Sequence, residues 1–429
     1  MPPRLHSITG HVRNADLIGE DEHERLQSGV SSSKSASLPE SGKFLVELLN
    51  RFLVSDSVRF RVRDFEVSAG AAGGSNTTLH IHNPRFFSRV VRYGNLGLGE
   101  AFMDGDFTVA EGELHEFLAA CLRSRIDERL WRDVRLRIRA SYYRTRAVLE
   151  GMGKSVRRHY DIGDDLFESF LDSDMNYSCG FALSPRDDLN TLQHTKMDRI
   201  CRKLQLRVDN RLLDIGCGFG GLLIFAAREY GARGTGVTLS RAHAAAARRR
   251  VAEAGLSDRI NIEFGDFREV SGEYDRIVSV GMLEHVPRRL YSAYFQTVAH
   301  HLARDGFGLV HTIGCNASRN LHDPFIQKYI FPNSNQPRLS EIACGLELAG
   351  LAILDVENIA QHYAYTVLGW LKRFRANRTR LLARYDEAFL RMWEYYFHCG
   401  IAAAVASDSA VYQTLFAASR SARPPLARV

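Results

Sequence analysis

"RLLDIGCGFGGLLIFAARE", residues 211–229, runs from apolar strand through glycines to apolar residues at helical spacing. Gly216, Gly218 and Gly220 sit directly after the strand, where glycine lets the backbone turn tightly and approach a ligand closely. Outward from this unit, "GTGVTLSRAHAAAARRRVAEAG" (234–255) repeats strand then helix. "INIEFGDFREV" (260–270), "YDRIVSVGMLEH" (274–285) and "GFGLVHTIG" (306–314) read as three more strands. Strands alternating with helices predict the α/β class: a Rossmann-like, doubly wound, mostly parallel sheet. No internal repeat of solenoid period interrupts it.

The glycine loop is read as a ligand site. Asp214 precedes it. Its spacing departs from the G-x-G-x-x-G of dinucleotide binders, and strand two ends "VTLS" with no acid for a ribose. The reading is therefore a loop for the amino-acid part of S-adenosylmethionine, not for NAD. Asp266, after the third strand, is placed to accept from an adenine amine. Ligands of open parallel sheets bind beyond the carboxyl ends of the strands. Glu284 follows strand four, and His311 and Ile313 end strand five, so all three are expected beside the loop. His285 is expected to make a structural hydrogen bond.

The chain has 429 residues, which predicts two or three domains. Residues 1–40 are polar and Ser-rich and are expected to be disordered. Residues 41–121 read as a small α+β domain: "FLVELLNRFL" (44–53) has helical spacing, "SVRFRVRDFEVSAG" and "NTTLHIHNP" alternate like strands, and "AAGGSN" reads as the turn between them. Residues 122–158 read as a basic helical linker and 159–429 as the catalytic domain, with a mostly helical, aromatic tail from about 338. The net charge of +6 is uneven, since residues 121–158 hold twelve Lys/Arg against four Asp/Glu. Such a patch suits phospholipid head groups or nucleic-acid phosphates. The seven cysteines show no CxxC and suit a reducing cytosol. No run reaches the ~18–20 apolar residues of a membrane span, and the N-terminus has no secretory apolar core.

Seven motifs then carry a resemblance. "HYDIGDDLFESFLDSDMNYSCGF", "LLDIGCGFGG", "GVTLS", "YDRIVSVGMLEHV", "LVHTIG", "DPFIQKYIFPN" and "HYAYTVLGW" follow in this order. Over about 155–416 the chain resembles the cyclopropane-fatty-acyl-phospholipid synthase family, including the mycolic acid cyclopropane synthases. The segment 42–150, with "GNLGLGEAFMDGDF", resembles the N-terminal domain of bacterial phospholipid-acting members. The resemblance implies methyl transfer from S-adenosylmethionine to a cis double bond of an acyl chain, with a bound bicarbonate ion as the base that lets the ring close. It implies a base pocket of Glu284, His311 and Tyr363 through side chains, and of Cys179 and Ile313 through backbone groups. Cys179 is then not a nucleophile. For the cofactor it points to Tyr177, Ser178, Gly216, Gly218, Thr238, Asp266 and Phe267, beside Asp214 and Gly220 of the loop. His243 stands where members often have Gln, Phe219 where they often have Trp, and Leu283 where they often have Phe. No metal is implied.

The same resemblance turns the basic patch toward a phospholipid surface and away from nucleic acid. It implies a cytoplasmic protein held peripherally on the inner face of the membrane, and leaves room for a homodimer. The stretches "FLRMWEYYF" and "KYIFP" become candidates for an acyl tunnel, although aromatic stripes are more often plain core. Two alternatives stay open: the same cofactor with a methyl- or methylene-branched or a methylated amine product, and a lipid-binding protein that keeps the fold without the reaction.

Overall fold

The computed structural model describes residues 37–53, 55–71, 76–149, 163–316, 323–419 and 421–423. The expectation of disorder over 1–40 thus falls almost wholly outside the described residues, as do most of the turn at 71–76 and the end of the basic linker.

The N-terminal part opens with the helix Glu40–Phe52, which buries Phe44, Leu45, Leu48, Leu49 and Phe52 on one face. Four strands follow: β1 Ser57–Val62, β2 Phe65–Gly70, β3 Asn76–Ile81 and β4 Phe107–Glu111, in the order β2-β1-β3-β4. Alternation sets the face, because Val58, Phe60 and Val62 point inward while Arg59 and Arg61 between them stay half-exposed. The helix Asn95–Met103 carries the "GNLGLGE" motif. A Cβ on Gly99 would sit 2.3 Å from the Phe325 ring and 2.7 Å from that of Tyr395. Only glycine lets this helix press so close to the C-terminal elements. Asn95 and Glu100 lock the contact through Asp323 (2.5 Å) and Lys328 (2.7 Å). The N-terminal sheet and the C-terminal helices consequently share one apolar core, from Phe44 and Phe60 to Trp370 and Tyr395.

The central sheet has seven strands: β5 Arg211–Ile215, β6 Arg233–Thr238, β7 Ile260–Phe264, β8 Tyr274–Val280, β9 Leu302–Cys315, β10 Ala352–Asn358 and β11 Ser409–Ala417. Their order is β10-β11-β9-β8-β5-β6-β7. β5 to β9 pair in parallel, as expected for a doubly wound sheet. The chain leaves β5 toward β6 and β7 and returns to β8 on the other side, so the strand order reverses at β5/β8 and opens a crevice there. The tail is mostly helical, as expected, and it also adds two strands to the sheet. These are β10 and β11, with β11 inserted antiparallel between β9 and β10. β11 is buried on both faces, so apolar and polar residues do not alternate along it, and Gln413 and Thr414 lie buried in its middle. The long helices Ala360–Ala376 and Glu387–Ala406 cover the carboxyl ends of the strands with aromatic side chains.

Candidate active site

β5 ends in Asp214 and Ile215, and the glycine loop then turns back under β6, with Gly216 N and Cys217 N bonded to Val237 O. Gly216, Gly218 and Gly220 all have positive φ, +86°, +53° and +79°. A Cβ on Gly218 would meet nothing within 4 Å, so this backbone faces open space at the start of the helix Gly221–Tyr230. Asp214 is buried, and its Oδ1 has no hydrogen-bond partner among the described residues. Burial pushes its pKa up to about 7, with Lys196 pulling the other way. An open glycine cradle beside an unpartnered buried acceptor fits the amino-acid end of S-adenosylmethionine. Thr238 is buried, and its Oγ1 accepts from Ser240 N at 3.2 Å. The His243 ring lies on Phe219, with centroids 4.6 Å apart, and its pKa is lowered by burial. Phe267 is buried against Tyr294.

Asp266 is bonded by its own neighbour. Both carboxylate oxygens are taken by Arg268, through the backbone N and Nε on one and Nη2 (2.7 Å) on the other. As N-cap of a short helical turn it is held by its own neighbour, with Oδ2 accepting one bond, from Arg268.

The second half of the site forms at the tips of β8 and β9. Glu284 is buried; it accepts from Thr312 Oγ1 at 2.7 Å and from Ile313 N at 3.0 Å. Burial raises its pKa, and these donors oppose the rise. Its backbone carbonyl is fixed by Asn335. The Ile313 N–H is donated to Glu284: a buried carboxyl demands donors, and the strand end supplies the nearest. Cys179, Ile313 and Tyr363 pack in one apolar cluster with Phe181, Ile359 and Val411. Burial drives the Cys179 thiol far above its ordinary pKa, so it stays neutral. His311 lies on the same face of β9 as Ile313, but its Nδ1 pairs with Gln413 Nε2 at 3.2 Å. Burial, then Lys196 and Lys203, hold its pKa down to about 3. It is a neutral imidazole set deeper than Glu284 and Tyr363. The exposed His285 makes no ring hydrogen bond to a described residue; its ring rests on Phe331 at 5.5 Å.

Tyr177 joins the two halves. Its ring is walled by Trp370 (5.2 Å), Phe167 (5.6 Å), Phe170 (5.7 Å) and Phe331 (6.0 Å). Its hydroxyl donates to that of Tyr396 at 3.0 Å, and Tyr363 interacts with the same Tyr396. Sequence reasoning missed Tyr396 as a link, along with Thr312, Trp370 and Lys196. Lys196 carried a signal: it occupies an apolar-face position of the helix Leu189–Lys203, in step with buried Leu192 and Ile200. The Lys196 ammonium donates to Ser178 Oγ at 3.0 Å and Asn176 Oδ1 at 3.1 Å, and Gln193 Nε2 donates to the Ser178 carbonyl.

A loop fit for the methyl donor, a buried carboxyl and a dry aromatic wall thus meet at one crevice. The family model "Mycolic acid cyclopropane synthetase" matches residues 150–414. The chain is 36% identical over 373 residues to the cyclopropane-fatty-acyl-phospholipid synthase of Escherichia coli (strain K12), covering 85% of this chain and 94% of that protein. It is 34% identical to the tuberculostearic acid methyltransferase UfaA1 of Mycobacterium tuberculosis, covering 77% and 80%. Among solved structures, mycolic acid cyclopropane synthase CmaA1 complexed with SAH and CTAB aligns with TM-score 0.56 and 28% identity, over 61% of this chain and 96% of that one. The fold is that of a class I S-adenosylmethionine-dependent methyltransferase, and the chain belongs to the mycolic acid cyclopropane synthetase family.

Proposed function

We propose that this chain methylates the cis double bond of an unsaturated phospholipid acyl chain and closes the product to a cyclopropane ring, with bicarbonate as the base. The observation that carries the reading is the match along nearly the whole length of a cyclopropane-fatty-acyl-phospholipid synthase. The glycine loop, Tyr177 and Ser178 would hold S-adenosylmethionine, which would supply an electrophilic methyl group. An alkene is a weak nucleophile, so the protein must hold it in line and close, roughly 3–3.5 Å from the methyl carbon. Attack leaves a positive charge on the acyl chain. The faces of Tyr177 and Phe331 would stabilise that charge, each by about 0.5–2 kcal/mol, and would keep water from trapping it as an alcohol, with the fully buried Trp370 packed behind Tyr177. The proton lost on ring closure needs only a weak acceptor. Glu284, Tyr363 and the backbone at Cys179 would hold bicarbonate, which would supply that acceptor, and neutral His311 lies behind them.

The decisive experiment is mass spectrometry and gas chromatography of lipids from a host expressing the chain. A ring adds one CH2 per double bond and gives no alkene signal. A second reading, a methyl-branched product, is favoured by the likeness to a tuberculostearic acid methyltransferase. It would add two further hydrogens, and unchanged lipids would remove both readings.

A phospholipid surface is the proposed site of action, with the protein peripheral and on the cytoplasmic side. No helix of the described residues is long and apolar enough to cross a membrane. On the basic helix Val134–Leu149, Val134, Ile138 and Tyr142 are 60%, 64% and 58% exposed at i, i+4, i+8 spacing. Arginines flank them, although Arg139 is paired with Glu47 at 2.8 Å. Anionic vesicles should bind the protein and release it at high salt, since exposed charges are screened within about 8 Å at physiological ionic strength; salt-independent binding would remove the contact.

A further inference from the structure

Lys196 is 1% exposed, yet its ammonium touches only neutral acceptors, Asn176 Oδ1 and Ser178 Oγ. It forms no ion pair among the described residues. Lys203, two turns along the same helix, is buried too but sits 2.5 Å from Glu357. Buried charges are ordinarily paired, because leaving water unpaired is costly. An ammonium has three donors, and two are accounted for.

The ionisable groups that face Lys196 do not fill this need. Asp172 is engaged by Asn176 N and Nδ2, both at 2.8 Å, and by Asp174 N at 3.1 Å. Asp174 is half-exposed and leans toward Arg250 at 3.8 Å. Cys179 is a neutral thiol, and Asp214 makes no ion pair with Lys196. Burial lowers the Lys196 pKa to about 8, which still leaves it charged at neutral pH. Its position is also telling. It holds Ser178, next to Cys179 of the base pocket, and its charge is felt by Asp214 before the glycine loop and by His311 behind Glu284. Neutral His311 and the buried Glu284 carboxyl give an anion no positive partner.

We propose that Lys196 is the counter-ion for a carboxylate-type oxyanion brought by the ligands: the amino-acid carboxylate of the methyl donor, or bicarbonate. The inference rests on the reading of this crevice under "Proposed function". It is tested with Lys196→Gln and Lys196→Arg on the full chain. S-adenosylhomocysteine and its decarboxylated analogue are titrated calorimetrically, and 13C-bicarbonate binding is followed by NMR line width. A charge-assisted hydrogen bond predicts that Lys196→Gln weakens one of the two anions roughly ten- to a hundredfold, with Lys196→Arg restoring part of the loss. If the partner is the donor's carboxylate, the decarboxylated analogue is insensitive to the change; if it is bicarbonate, only the NMR titration responds. Equal binding of both anions by Lys196→Gln and wild type overturns the proposal, as does equal loss for the analogue and its parent. Wild-type protein that binds neither anion overturns it together with the reading beneath it, which keeps the two failures apart. Should Lys196→Gln not fold, 15N-lysine spectra of the wild type decide: a Lys196 Nζ resonance that moves on adding either anion supports the assignment, and one that stays still ends it.

Discussion

The two halves of the crevice are built in opposite ways. The glycine half is built around one continuous stretch, Asp214 to Gly221, with the tip of β6 beside it and Tyr177 and Ser178 added from the segment before the helix Leu189–Lys203. Its acceptor is unpartnered among the described residues and its backbone faces open space. The base half gathers Cys179, Glu284, Thr312, Ile313, Tyr363 and Tyr396 from five separate elements, and its polar groups already bond to one another. The first half is shaped to receive a ligand. The second is shaped to hold a geometry, with Glu284 fixed by two donors before any substrate arrives. Substitutions should therefore separate binding from turnover according to the half they strike.

The largest separation is expected at Glu284. Glu284→Gln keeps the size and one acceptor but removes the carboxylate. It also turns an amide N–H toward Thr312 Oγ1 or Ile313 N–H. Turnover should fall by about 10²–10⁴-fold, the range for losing acid–base assistance. The dissociation constant for S-adenosylhomocysteine, measured by calorimetry, should stay within a few-fold of wild type. Equal loss of both would erase the distinction between the halves.

Gly218 offers the mirror image. Its φ of +53° costs any other residue about 1–2 kcal/mol, and a methyl group there would project into the open cradle. Gly218→Ala should weaken S-adenosylhomocysteine at least tenfold and lower thermal stability only slightly. Turnover at saturating cofactor should fall far less than for Glu284→Gln.

This contrast also explains what the sequence made legible. A loop whose ligand contacts lie within eight residues announces itself by its glycines, and the αβ alternation around it predicted the parallel strands β5 to β9. The positions of Glu284 and His311 at strand ends were also readable, because the ends of parallel strands share one side of the sheet. What they bond to was not. That Ile313 N–H serves Glu284 depends on how the turn after β8 meets the tip of β9, and that His311 turns to Gln413 depends on β11, a strand within a tail that reads as mostly helical. Asp266 shows the local version of this limit: its partner, Arg268, is two residues away, but only the turn geometry brings it round. Lys196 sat in plain view, a charge in the buried stripe of its helix, and needed the three-dimensional partners to acquire meaning.

Asp214 sharpens the comparison through pH. Its pKa is raised from the ordinary 3.8 to about 7 by burial. Between those values the native state holds a proton that the unfolded chain has lost. Stability therefore decreases as pH rises through this window, and the penalty is complete above about 7. Lys196 acts in a different window. Its pKa, depressed to about 8, makes the native state hold fewer protons than the unfolded chain between about 8 and its ordinary 10.5, so stability recovers there as pH rises. Asp214→Asn should raise the melting temperature of the ligand-free protein at pH 7.5–8 by several degrees and change it little below pH 4. A pH-independent gain would assign the effect to packing instead of charge.

The smallest expected effect falls on the seam between the halves. Tyr396 takes a hydrogen bond from Tyr177, on the donor side, and interacts with Tyr363, on the base side. All three hydroxyls are buried, and burial raises their pKa values, so they remain neutral. Tyr396→Phe removes one oxygen and leaves the ring contacts with Trp393 and Phe397 in place. The Tyr177 hydroxyl loses its partner, at a cost of about 1–3 kcal/mol for an unsatisfied buried donor. Because the oxygen touches both sides, binding and turnover should fall together, each by only a few-fold, unlike the one-sided losses at Glu284 and Gly218. Adding Tyr177→Phe removes the orphaned donor as well, so the double variant should recover much of the stability lost by Tyr396→Phe alone. Losses that simply add, measured by denaturant unfolding, would mean that the two hydroxyls act independently and that the halves are joined by ring packing alone.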